Sequence, residues 1–130
     1  MKKLLLSILT LCCAVAAGAQ TEVKFDFDNN ATALFGISGR STNDSGEGDI
    51  TEAVTATVNG VKLTVSPKSE SAKYENRLWA TSPTLRMYSG TMTIDAGSHK
   101  ITGIKFNQGK WGASNTFDSG TFASDVWTPS

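Results

Sequence analysis

Residues 54–65, VTATVNGVKLTV, constrain the fold more than any other stretch of this 130-residue chain. Asn59-Gly60 suits a two-residue type I′ turn, because both residues tolerate positive φ. Pairing across that turn sets Val58 opposite Val61, Ala56 opposite Leu63 and Val54 opposite Val65. All six share one face, and a slip of a single residue would send them all to the other side. A hairpin with one wholly apolar face needs a second layer to cover it. No apolar stripe at helical spacing runs long enough to supply a covering helix, so the expected partner is another sheet.

The flanking sequence repeats the theme of short strands and frequent turns. Glu22 to Asp28 alternates strictly, with Val23, Phe25 and Phe27 on one side and Lys24, Asp26 and Asp28 on the other. That period of two predicts a half-buried strand. Asn29 to Gly36 predicts one helical turn, capped by Asn29 or Asn30 and stopped by Gly36. Gly39 to Asp49, GRSTNDSGEGD, has almost nothing to bury and reads as a mobile loop. Leu78 to Ala80 reads as a short strand before the Ser82-Pro83 break. In TLRMYSGTMTI a two-residue turn at Ser89-Gly90 is expected to set Met87 against Met92 and Leu85 against Ile94. That pairing leaves Arg86, Tyr88, Thr91 and Thr93 on the outer face. Ile104 and Phe106 share the inner face of the next strand, and Gly103 marks a bulge that returns Ile101 to phase. A last hairpin is expected at Ser119-Gly120, with Phe117 facing Phe122. Turn signals roughly every ten residues between short alternating runs predict an antiparallel β-sandwich, jelly-roll or Ig-like.

The first residues have a different character. Lys2 and Lys3 precede an apolar stretch from Leu4 to Ala17, and Ala17-Gly18-Ala19 has the small-x-small form of a secretory cleavage site. The chain is therefore expected to be exported, with cleavage after Ala19 and no membrane insertion afterwards; the apolar run is shorter than the roughly 20 residues that span a bilayer. Lipidation at Cys12 or Cys13 is disfavoured, since Leu11 and Cys12 precede them where a small residue is needed. Both cysteines fall inside the leader, so residues 20–130 carry neither disulfides nor thiolate ligands. Those 111 residues suffice for one domain with its own core. They hold 10 basic and 12 acidic residues with no basic cluster, which argues against a nucleic-acid partner.

The order FDF, NGVKLTVS, NRLW, LRMYSGTMTI, ITGIKF and a final lone tryptophan resembles the secreted β-sandwich modules of Bacteroidota, which occur alone or beside enzymes, leucine-rich repeats and adhesin domains. The resemblance covers most of residues 22–127 and implies a fold without implying a catalytic motif. Such modules continue past the late tryptophan with two further strands, the last rich in Val, Thr and Ile. This sequence stops at Trp127-Thr128-Pro129-Ser130, so it is expected either to be a fragment, the favoured reading, or to come from a member that has lost its closing strands.

Candidate chemistry is sparse. His99 is the sole histidine and sits in a turn, and Gly36-Ile37-Ser38-Gly39-Arg40 misses the G-x-S-x-G elbow at its last position. With no nucleophile motif and about 111 residues to build a cleft, a non-enzymatic role is expected; a small secreted hydrolase with distant paired carboxylates is the least favoured reading. Calcium is the only cofactor considered, through hard oxygens on Asp26, Asp28 and Asn30 and an acidic loop from Asp44 to Asp49. The EF-hand pattern fails there, because Ala31 and Ile37 occupy the glycine and bidentate-glutamate positions. An Asx turn and a solvated loop account for the same residues without a metal. Asn30-Ala31-Thr32 and Asn43-Asp44-Ser45 match glycosylation acceptors, but the leader looks bacterial and neither is expected to be modified.

The aromatic residues carry the best binding hypothesis. Trp79, Trp111, Trp127, Tyr74 and Tyr88 could form a platform for sugar rings, with Arg77, Arg86 and Asn115 as hydrogen-bonding partners. Trp79 and Trp127 read equally as core residues. Trp111, in the polar loop NQGKWGASN, reads as the more exposed ring. The expected ligand site is thus Trp111, Trp127, Tyr88, Arg86 and Asn115. The expected partner is an extracellular glycan, or a surface protein if the module is a spacer or adhesin.

Overall fold

In a computed structural model, the structure describes residues 2–3, 6–12, 20–43, 46–80, 84–106 and 114–130. The chain is mostly β. In order, the elements are β1 (Lys2–Lys3), β2 (Leu6–Cys12), β3 (Gln20–Val23), α1 (Phe27–Phe35), β4 (Val54–Val58), β5 (Val61–Val65), β6 (Arg77–Trp79) and β7 (Thr84–Met87). β8 (Met92–Asp95), β9 (Lys100–Phe106), β10 (Thr121–Ala123) and β11 (Val126–Thr128) complete them. Three open sheets result, ordered β1-β7-β6, β10-β11-β9-β2-β3 and β4-β5-β8. Every ladder between named strands is antiparallel.

The β4–β5 hairpin forms in the expected register, from Val54↔Val65 to Val58↔Val61. Asn59 and Gly60 both take positive φ, 48° and 79°, as a type I′ turn demands. Ala56, Val61, Leu63 and Val65 are fully buried, and on the opposite face the Thr55 and Thr64 hydroxyls meet at 2.8 Å. Period-two alternation translated directly into an inside and an outside.

Three other expectations are corrected. First, the strand expected over residues 22–28 ends at Val23, and Phe27 opens a nine-residue helix. The parity of burial survives, since Val23, Phe25 and Phe27 are all core residues. The helix runs to Phe35, whose ring stacks on Phe27 at 5.8 Å, and Gly36 ends it at φ 67°. The i, i+8 spacing of those rings places them on one helical face, which the strand reading of Phe27 concealed.

Second, Ser89-Gly90 does not close a hairpin. β7 pairs with β6, β8 pairs with β5, and the turn carries the chain from one sheet to another. Gly90 has φ 85°, and a Cβ there would collide with Ser66 Oγ and the Pro67 carbonyl. The inward parity again holds in part: Leu85 and Met87 are buried, while Met92 and Ile94 are half-buried against the core.

Third, the C-terminal hairpin turns at Ser124-Asp125, both with positive φ, and not at Ser119-Gly120. Phe117 and Phe122 nevertheless stack, with centroids 4.9 Å apart. The bulge near Gly103 is present. Thr10 faces Gly103 while Leu11 faces Ile101, so Thr102 is the extra residue on β9.

Residues 39–43 and 46–49 of the loop are also more firmly tied down than its composition suggests. Arg40 is 5% exposed and donates to the Asn43 and Glu47 carbonyls and to Asp49 Oδ1, the last at 2.8 Å. Backbone bonds from Arg40 N to Leu78 O and from Ala80 N to Arg40 O lace this loop along β6, and Ile50 behind it is fully buried. A single guanidinium, with five donors in a fixed fork, replaces the apolar anchor the loop lacks.

Candidate functional site

Met87, Met92, Ile94, Ile104, Phe106 and Trp127 floor a cleft of about 750 Å³. It lies where β7 and β8 face β9, β11 and the 114–119 segment. Tyr88, Thr91, Thr93, Asn115, Thr116 and Asp118 supply polar groups around it. The volume is within the usual range for small-molecule sites, and an apolar floor beneath hydroxyl and amide groups is their usual chemistry.

One rim of the cleft is held by a residue that the sequence reading passed over. Asn76 is fully buried yet makes four hydrogen bonds. Its amide nitrogen donates to the Ser66 carbonyl at 3.0 Å and the Ser89 carbonyl at 2.7 Å. Its Oδ1 accepts from the Tyr88 and Ser89 amides at 2.8 and 3.3 Å. The side chain thus reproduces, from the side, the bonds that a hairpin partner would have given this turn. Ser66 Oγ adds a bond from the Thr91 amide at 2.9 Å. No pattern in a single sequence distinguishes such an asparagine from a surface one.

Tyr88 stands on that rim, half-buried, with Tyr74 tilted against it at 5.5 Å between centroids and the Arg77 guanidinium 5.6 Å from its ring. Tyr74 is 49% exposed. Trp127 lies at the floor, 9% exposed, its indole N–H donating to the Ser119 carbonyl at 2.7 Å. That bond, and the close approach of Gly120 to its ring, hold Trp127 as a packing residue at the cleft floor. Asn115 is half-buried among the lining residues.

Of the five expected ligand-site residues, the fold therefore brings Tyr88, Asn115 and Trp127 to one cleft. Arg86 is not among its lining residues. Its guanidinium lies 4.6 Å from the Trp79 ring centroid, with that of Arg40 at 5.9 Å. Trp111 falls in residues 107–113, outside the described residues, in the chain segment that joins β9 to the cleft-lining 114–119.

The calcium candidates separate. Asp26 precedes α1 and pairs with Lys24 at 3.4 Å. Asp28 and Asn30 lie within α1, where their side chains are outside what is described, and Asp44 is likewise outside. Asp49 is engaged by Arg40 and Arg77 at 2.8 and 3.3 Å. Among the described residues no three His, Cys, Asp or Glu side chains gather as a metal site. His99 is exposed in the turn between β8 and β9. Among the described residues, no helix is long and apolar enough to cross a membrane.

The fold and cleft thus define a mostly β protein with open antiparallel sheets and a polar-rimmed apolar cleft. Set against known protein families, characterised proteins and solved structures, the chain shows no significant match.

Proposed function

We propose that the chain is an exported, non-enzymatic β-sandwich module that binds a carbohydrate in the cleft beside Tyr88. The observation that carries this reading is the convergence of Tyr88, Asn115 and Trp127, distant in sequence, on one cleft. A sugar ring offers an apolar C–H face and a polar circumference, and the apolar floor and hydroxyl-rich rim complement both. The Tyr74–Tyr88 pair, with Arg77 against it, extends the aromatic surface outward. Glycoside hydrolysis calls for two carboxyl groups across the bond to be cleaved, whereas Asp118 is the single carboxylate among the described lining residues.

The test is a screen of the secreted protein against immobilised bacterial and host polysaccharides, followed by calorimetry on any hit. Tyr88→Ala and Asn115→Ala should each weaken binding about tenfold or more, a loss of about 1.4 kcal/mol. Trp111→Ala should do the same without lowering the melting temperature. A folded protein that binds no glycan, or binds one unchanged in all three variants, overturns the reading.

A further inference from the structure

On the outer face of β6 and β7, the guanidinium groups of Arg40, Arg77 and Arg86 share a single carboxylate. Arg77 and Arg86 stand directly opposite each other across the two strands, and Arg40 lies beside them where its loop bridges to Trp79. Asp49 Oδ1 accepts from Arg40 at 2.8 Å and lies 3.3 Å from Arg77 Nε. Among the described residues no other acid forms an ion pair with the three arginines; Glu75, two residues before Arg77, is engaged by Lys68 at 3.1 Å. Arg86 is left with an aromatic contact, its guanidinium 4.6 Å from the Trp79 ring centroid, and its buried Nε meets no acceptor. In the full-length chain Lys3 is in register with Arg86 on the other side, which adds a cation and no acid. Like charges directly opposite on neighbouring strands destabilise a sheet, and a half-buried guanidinium without an acid keeps an uncompensated charge. We infer that the acid completing this cluster comes from the ligand, so that the glycan bound beside Tyr88 is a uronic-acid polymer. The inference rests on the carbohydrate reading given above.

Asp49 shows the chemistry within the same cluster: a single carboxylate oxygen serves two guanidiniums at once. A uronate carboxylate between Arg77 and Arg86 repeats that arrangement, and the planar arginine fork takes a planar acid through two parallel bonds. The Trp79 ring against Arg86 holds its guanidinium in place, which lowers the ordering cost when an acid binds. Position ties the pair to the cleft. Tyr88 lines the cleft and follows Arg86 by two residues, and the Arg77 guanidinium is 5.6 Å from its ring. A polymer with one sugar against Tyr88 therefore brings a neighbouring acid group within reach of Arg77 and Arg86. Arg86, which does not line the cleft, thereby gains a part in binding that its distance from the floor would deny it.

The experiment titrates the secreted protein with polygalacturonate, alginate and hyaluronate, each beside its methyl-esterified form, which keeps the sugar and removes the charge. One acidic polymer or more should bind about tenfold tighter than its ester, and the preference should shrink as salt rises from about 50 to about 500 mM. Arg86→Gln should cut the preference to about threefold or less. A second measurement needs no ligand. Arg86→Glu sets an acid opposite Arg77 and should melt about 2 °C or more above Arg86→Gln, since both variants lose the same contact with Trp79. Equal binding of acid and ester, an Arg86→Gln variant that keeps the preference, or tighter binding of dextran sulfate than of every polyuronate overturns the inference and leaves the carbohydrate reading standing. Arg86→Glu melting below Arg86→Gln likewise removes the charge argument alone. Binding of no polymer in either form, or equal binding of poly-glutamate, overturns the carbohydrate reading and the inference with it.

Discussion

Replacing Asn76 by alanine removes four hydrogen bonds from a fully buried side chain and leaves the Tyr88 and Ser89 amides without their acceptor. At about 1 kcal/mol net for each bond the sum is near 4 kcal/mol. Ser89 is half-buried and Gly90 exposed, so water can reach part of the freed backbone, which lowers the expected loss to about 3 kcal/mol. At about 4 °C for each kcal/mol in a domain of this size, the melting temperature should fall by about 12 °C. Urea unfolding followed by tryptophan fluorescence reads the same loss as a lower midpoint with an unchanged slope.

Asn76→Asp sharpens the test, because it keeps both acceptor contacts and turns the donating amide into an oxygen facing two carbonyls. Burial and those carbonyls should raise the introduced carboxyl above the ordinary value of about 3.9. A raised folded-state pKa gives stability that is present at low pH and lost as pH rises. The deficit relative to the parent protein should therefore be smaller at pH 4 than at pH 7. A loss below about 1 kcal/mol for the alanine variant would refute the assignment of Asn76 as the clamp of the 88–90 turn. So would a pH-independent deficit for the aspartate variant.

Three further outcomes follow from particular contacts. Gly90→Ala should cost about 2–3 kcal/mol through left-handed strain and collision with Ser66, whereas Gly97→Ala, at φ 62° in open space, should cost only about 1 kcal/mol; comparing their thermal melts decides it. Arg40→Ala should destabilise by about 3–5 kcal/mol and speed amide exchange at Arg40, Ile50 and Leu78, because Asp49 loses one of its two cations and two loop carbonyls lose a donor. Normal exchange at those amides would mean the loop holds itself. Ser124→Asn, at the first positive-φ position of the β10–β11 turn, should raise the melting temperature by about 2 °C, because Asn tolerates that conformation better than Ser; a decrease would contradict this reading of the turn.

What the sequence disclosed depended on how local the determining interactions are. The β4–β5 hairpin was legible to the residue, because turn chemistry and alternation lie within twelve consecutive positions and agree. Burial parity was legible even where element type was not: Phe25 and Phe27 point inward whether the chain is extended or turning into a helix. Partner choice was illegible. Leu85–Ile94 looks like a hairpin in isolation, and only the distant Asn76 and Ser66 show that the turn is instead tied down from below. Ser124-Asp125 is hidden because, although Ser and Asp both favour turns, the pair lacks the glycine that makes Ser119-Gly120 the more obvious two-residue turn. At the cleft, Tyr88, Asn115 and Trp127 were selected by residue type alone, and their meeting is a property of the fold. Arg86 was assigned outward by parity, but the Trp79 ring beside it could not be foreseen.

The excursion from Pro67 to Gly90 leaves and re-enters the β4-β5-β8 sheet at a single point, where the Ser66 amide meets the Thr91 carbonyl at 3.0 Å. For that sheet, everything between is a loop whose ends are already joined. The entropy of closing such a loop grows only logarithmically, by about 0.6 kcal/mol for each doubling of its length. Residues 70–73, beyond the bond from the Ser69 amide to Ser89 Oγ at 2.9 Å, can therefore lengthen or change with little effect on the sheet beneath. In a lineage of such proteins, this is where insertions would accumulate first, beside the cleft and without disturbing its floor.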